Sequence, residues 1–182
     1  MGLDGYKIRG QQAVHFITFA TLKWVDVFTR SDYVNIIIDS LQYCKKEKDL
    51  LLHAYCKMPN HLHLIMSTPN NHLSDVIGDF KKFTSAKIVK AIEENVKESR
   101  RNWMVWIFKK AGENNERNNS YQFWQQDNQP IECSTEEILQ TRMNYLHENP
   151  VRAGFVWKAE DYRYSSAFDY YTAGKGLVEI NR

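Results

Sequence analysis

The stretch Lys57-Met58-Pro59-Asn60-His61-Leu62-His63-Leu64-Ile65-Met66 constrains this chain more than any other, because a turn signal runs straight into an alternating segment. Successive side chains of a β-strand point to opposite faces, so His61 and His63 share one side while Leu62, Leu64 and Met66 take the other. Just upstream, Leu50-Leu51-Leu52-His53-Ala54-Tyr55-Cys56 has the composition of a second strand, and Met58-Pro59-Asn60 is short and turn-rich enough to make the two a hairpin. With Lys57 opposite His61, Tyr55 would face His63 and His53 would face Ile65. That register predicts one apolar face of Leu52, Ala54, Cys56, Leu62, Leu64 and Met66, and a polar face gathering His61, His63, Tyr55 and Lys57. Two imidazoles on neighbouring outward positions can converge on one divalent ion without any loop rearrangement. The same pair also suits an ordinary polar strand face, and only partners elsewhere in the chain separate the two readings.

At 182 residues the chain has the length of one domain and can bury a core without disulfides or a structural metal. Cys44, Cys56 and Cys133 are odd in number and lack C-x-x-C spacing, which points to a reducing compartment and away from a disulfide framework or a zinc knuckle. The first residues contain no apolar signal region and no apolar run reaches membrane-spanning length, so a cytoplasmic protein with no membrane partner is expected. The net charge of +2 conceals an uneven distribution. From Lys81 to Lys110 nine basic residues stand against three acidic ones, and such a block suits a polyanionic partner as well as a solvated helix face.

Val14 to Thr21, rich in β-branched and aromatic residues, reads as a first strand. Ser31 or Asp32 is placed to cap a helix carrying Val34, Ile37, Ile38, Leu41 and Cys44 at helical spacing. After the histidine hairpin, a second helix has Leu73, Val76, Ile77, Phe80 and Ile88 on one side, with Lys81, Lys82 and Lys87 largely on the other. Strand, helix, strand, strand, helix is the opening of a split β-α-β, ferredoxin-like α+β sandwich with an antiparallel sheet. Helices would cover one face, and the histidines would look out from the other, open face. Residues 89 to 111 read as further helix, residues 113 to 120 as a flexible Asn-rich loop, and residues 121 to 126 with 130 to 133 as a last strand region. Ser134-Thr135-Glu136-Glu137 is a capping box opening a helix with Ile138, Leu139, Met143 and Leu146 buried, which Pro150 is expected to close at Asn149. Tyr145 and Asn149, four apart, lie on one face of that helix, with Arg142 three residues before the tyrosine.

Four ordered motifs now stand together: Met58-Pro59-Asn60-His61-Leu62-His63-Leu64-Ile65, Phe80-Lys81-Lys82-Phe83-Thr84-Ser85, Phe123-Trp124-Gln125, and Tyr145-Leu146-His147-Glu148-Asn149-Pro150-Val151-Arg152-Ala153-Gly154. Their combination resembles the single-tyrosine HUH transposases (IS200-like), and within them the REP-associated tyrosine transposases, over nearly the whole chain from Tyr6 to Tyr171. The resemblance implies a ferredoxin-like sandwich whose HUH strand and tyrosine helix form the active site. It implies that His61 and His63 bind Mg²⁺ or Mn²⁺, and that Tyr145 attacks single-stranded DNA to leave a 5′-phosphotyrosine and a free 3′-hydroxyl. Asn149, one turn after Tyr145, is the expected third ligand, its competing role being a helix cap. The DNA expected is single-stranded and hairpin-forming, as in REP-like or palindromic repeats. The residues expected to contact it are Tyr6, Lys7 and Arg9, Lys81, Lys82 and Lys87, and Arg142 and Arg152. A monomer is implied, with a dimer as the other arrangement. From the residues alone a nucleic-acid-binding ferredoxin-like module without chemistry, or a domesticated transposase, stays open.

Overall fold

The computed structural model describes residues 8–113, 120–126 and 129–182. Tyr6 and Lys7, and most of the loop expected at 113–120, lie outside the described residues. The elements in chain order are β1 (His15–Ala20), α1 (Ser31–Glu47), β2 (Leu51–Lys57), β3 (His61–Ser67), α2 (Leu73–Glu94), α3 (Arg101–Glu113), β4 (Ile131–Glu132), α4 (Glu136–Arg152) and α5 (Ala167–Tyr171). The strands form one antiparallel sheet in the order β2-β3-β1-β4, which is the ferredoxin-like arrangement expected from the sequence.

The expected apolar stripes of α1 and α2 are buried against one face of this sheet. Val34, Ile37, Leu41 and Cys44 of α1 and Leu73, Val76, Phe80, Ile88 and Ile92 of α2 meet Ile17 and Phe19 of β1 and Leu62, Leu64 and Met66 of β3 in one cluster. Some local details differ from expectation. Ser31 is the first residue of α1 rather than its cap, because the chain stays extended as far as Arg30. The helix expected over 89–111 is interrupted at Asn95, which is extended, and resumes as α3. In the break Glu98 is buried, accepting from Arg30 Nε at 2.6 Å and from the Arg100 backbone amide at 3.1 Å, and these bonds hold the turn in place.

The hairpin register is one residue away from the expected one. Met58 N donates to His61 O at 2.8 Å, so the loop has two residues, Pro59 and Asn60, and Lys57 pairs with Leu62 rather than His61. A slip of one residue exchanges the faces of every side chain. Tyr55 and Lys57 therefore point to the helix-covered side, while Ala54 and Cys56 lie on the face of His61 and His63, Cys56 directly opposite His63. A bulge between Leu52 and Ala54 restores Leu52 to the main core and leaves His53 bonded to Ser67 Oγ and Asn181 O. Lys57 Nζ, nearly buried, donates to Phe28 O at 3.0 Å and lies 4.0 Å over the Tyr164 ring.

The second sheet face is not left open. Met143 and Leu146 of α4 pack there on Phe16, Ala54, Cys56 and Ile65, a small apolar patch created by the register just described. Thr135 Oγ1 caps α4 by accepting from Ile138 N at 3.2 Å. The helix runs through Pro150 to Arg152, with the proline ring buried. What ends α4 is Gly154, at φ 76, with Gly154 N on Val151 O and Phe155 N on Pro150 O, the paired bonds of a left-handed glycine terminus. Among the described residues no helix is long and apolar enough to cross a membrane.

Candidate active site

The site lies where the middle of the sheet meets α4. Antiparallel pairing sets Thr18 of β1 opposite His63 and Ala20 opposite His61. The two imidazoles, two positions apart on β3, have ring centroids 4.6 Å apart and nearly perpendicular planes. His63 stacks on Phe16 at 5.4 Å, so an aromatic floor fixes the plane of the ring.

Each imidazole is oriented through its Nδ1. His61 Nδ1 lies 2.7 Å from Asn60 Oδ1, an acceptor only, so Nδ1 carries the proton and Nε2 keeps its lone pair. His63 Nδ1 is 2.8 Å from Thr18 Oγ1, and its Nε2 is 3.2 Å from the carboxamide nitrogen of Asn149. An amide N–H donating to Nε2 requires a lone pair there, which assigns the same tautomer to His63. Thr18 and Asn60 thus do for these rings what outer partners do for metal-binding histidines generally.

α4 supplies the rest. Tyr145 packs edge-on to His63 at 5.4 Å and to Phe16 at 5.9 Å, and 39% of it remains exposed. Asn149, a turn later, points its carboxamide at His63, so it does not cap the helix. The Arg152 guanidinium lies 4.7 Å over the Tyr145 ring and donates to the Tyr145 carbonyl at 2.7 Å. Arg142 lies 5.7 Å over Phe16, with its Nε buried and unpaired.

The remaining sequence-predicted residues are more scattered. Lys81 donates to Gln125 O at 3.2 Å, and with Lys82 it lines a cleft of about 480 Å³ shared with Tyr121, Gln122, Phe123 and Trp124. The cleft adjoins the histidine end of β1, because Gln125 N bonds Ala20 O and Leu22 N bonds Phe123 O. Lys87 turns away and lies 5.6 Å from Phe83, while Arg9 is exposed and no contact brings it to the histidines. Sequence reasoning missed Phe16, Thr18 and Asn60. Phe16, Thr18 and Ala20 alternate on one face of β1, but their meeting with the histidines depends on β1 and β3 being neighbours.

Burial pushes His61 down to about 4, and burial with the charges of His61 and Arg152 pushes His63 down to about 3. Both rings are neutral at pH 7; the Nε2 lone pair of His61 faces no protein donor among the described residues, and that of His63 becomes available to a cation when the Asn149 amide turns away. His147, fully buried with Nε2 on Ser166 Oγ at 2.9 Å, is likewise pushed down by burial to about 4. These groups ionise near 6.5 in the unfolded chain, so between that value and about 4 the unfolded state binds more protons and stability falls as pH falls. The expected result is a melting temperature that drops from pH 7 to pH 4.5 as the unfolding free energy falls by up to about 1.4 kcal/mol per imidazole per pH unit at the limit. His147→Gln should flatten part of that slope. A melting temperature constant over this range would contradict the assignment of these rings as neutral and buried.

Two borderline imidazole nitrogens and one carboxamide, close to a half-exposed tyrosine, fit a divalent cation that takes its other ligands from outside the protein. A family model described as "Transposase IS200 like" matches residues 11–107, just over half of the chain. No curated protein matches the chain. Among solved structures, a REP-associated tyrosine transposase bound to a REP hairpin is similar in fold at 12% identity and TM-score 0.64, covering 99% of this chain and 93% of its own. A protein named as a candidate transposase of Deinococcus radiodurans R1 is 16% identical with TM-score 0.47, over 77% of this chain and 95% of its own.

Proposed function

This chain belongs to the family of IS200-like transposases, and from that premise we propose that it cuts and rejoins hairpin-forming single-stranded DNA through a covalent link to Tyr145. The observation that carries the reading is the convergence of Tyr145, Asn149, His61 and His63 at one junction of α4 with the sheet. His61, His63 and Asn149 would hold Mg²⁺ or Mn²⁺, which when bound polarises the scissile phosphate and offsets the charge that builds on it.

The protein's own groups do the remainder. The Tyr145 oxygen attacks phosphorus, a Tyr–O–P bond forms, and the bond to the 3′ oxygen breaks. The phenol proton passes to water and the 3′ oxygen takes one up. Arg152, held over the tyrosine ring, places a permanent positive charge where the phosphate must approach. Because the phosphodiester energy stays in the link, a later 3′-hydroxyl can reverse the step and join strands without a nucleotide triphosphate. Tyr145 packs against His63 of its own chain, which supports a monomer that works in cis. Hairpin DNA as substrate is supported by the REP hairpin bound in the structural relative, and by Lys81 and Lys82 at a cleft beside the site.

The reading is tested by incubating the protein and Mn²⁺ with labelled single-stranded DNA containing a palindrome from the flank of its own gene. A protein–DNA adduct that survives denaturation is expected. Tight hairpin binding with no adduct under any divalent metal would leave a binding module instead.

A further inference from the structure

The turn after β1 departs from ordinary backbone at two successive residues, with φ 51 at Lys23 and φ 57 at Trp24. Side chains other than glycine rarely adopt this left-handed region, and where they do the surroundings must impose it. Here Thr21 imposes it. Its amide donates to Asn60 O at 2.9 Å, its hydroxyl donates to Val25 O at 2.6 Å, and its carbonyl accepts from Trp24 N at 3.0 Å.

What this conformation achieves is to hold the Trp24 indole out of the core. The side chain is 53% exposed, and its ring stands 5.6 Å from His61 at an interplanar angle of 80°. Asn60 locks the pair together, donating from Nδ2 to Trp24 O at 3.3 Å while Oδ1 accepts from His61. Neighbouring Lys23 lines a cleft of about 540 Å³ with Trp106, Lys110, Gln122 and Gln126. A fixed, exposed indole beside the histidines, with ammonium groups leading away from it, has the form of a stacking platform on a strand's path.

We infer that Trp24 stacks an unpaired nucleobase next to the scissile phosphate on the His61 side, and so sets which phosphate lies before Tyr145. The inference rests on the reading of the site as a single-strand cleavage centre, and its test separates the two. Adduct formation is measured for the natural protein, Trp24→Phe and Trp24→Ala, on a cleavable strand and on copies with an abasic nucleotide at each position flanking the cut. If the natural protein forms no adduct, the functional reading fails.

If it does, one abasic position should lower its cleavage by roughly five- to a hundredfold, the range expected for one lost base stack. Trp24→Ala should lose a similar factor on the intact strand and nothing more on that abasic strand, and Trp24→Phe should recover most of it. The Mn²⁺ concentration for half-maximal rate should not change. Additive losses, or a raised Mn²⁺ requirement in Trp24→Ala, would show that the indole merely props His61 and would overturn the inference. Should Trp24→Ala fold poorly, the abasic series on the natural protein together with Trp24→Phe still decides, and cleavage indifferent to every abasic position refutes it.

Discussion

Tyr145→Phe is expected to abolish both strand cleavage and the covalent adduct while leaving affinity for the hairpin strand within a few-fold. The substitution removes one oxygen and no charge. The contacts of Tyr145 with His63 and Phe16 are made by its ring, and that with Arg152 by its ring and backbone carbonyl, so the phenylalanine keeps them all. A fold or binding defect would therefore be unexpected, and loss of chemistry alone identifies the nucleophile. If the adduct persisted, the attack would have to come from another tyrosine. The nearest sequence alternatives are poorly disposed. Tyr162 is raised by burial and donates to Lys57 O at 3.0 Å, and Tyr164 has its ring face over the Lys57 ammonium. Mixing Tyr145→Phe with His63→Ala protein should restore nothing, since each protomer lacks part of its own site. Recovery of activity in the mixture would mean that α4 is exchanged between chains.

Asn149→Ala should raise the Mn²⁺ concentration needed for half-maximal cleavage by roughly tenfold or more, the scale of losing a group from a metal's ligand environment. A hard divalent cation held by two imidazoles is short of oxygen donors, and the Asn149 carboxamide lies 3.2 Å from His63 Nε2, where its oxygen can serve after a half-turn of the amide. The helix terminus lies beyond Asn149, at Gly154, so truncation should cost little thermal stability. The decisive comparison is between the two measurements. A lowered melting temperature with unchanged Mn²⁺ dependence would mean that the amide only braces His63, leaving water and phosphate to complete the ion's shell.

Much of this arrangement was legible in the residue order. Alternation placed His61 and His63 together, helical spacing placed Tyr145 and Asn149 together, and the succession of strands and helices specified the sheet. What escaped were features decided by tertiary partners. The hairpin slipped by one residue because Pro59 and Asn60 alone form its loop, and composition does not distinguish a loop of two residues from one of three. Ala54 and Cys56 thereby joined the histidine face, and this apolar patch gave α4 a surface to dock on. Pro150 sounded a stop that the helix ignored, since local disfavour at one residue is small beside the packing of Met143 and Leu146. Thr18 gave no local signal at all, because its role exists only through β1 lying beside β3.

The seating of Tyr145 and Asn149 on one unbroken stretch of α4 has a mechanical consequence. Because the helix is continuous from Tyr145 to Asn149, the phenol and the amide are mounted on a single stiff lever whose bearing on the sheet is the Met143 and Leu146 contact. Any swing of that lever large enough to carry a tethered DNA end away from the histidines also withdraws the amide. On the proposed function, strand movement and loosening of the ion's grip would be one motion, and a lever that had not returned could not attack a second phosphate.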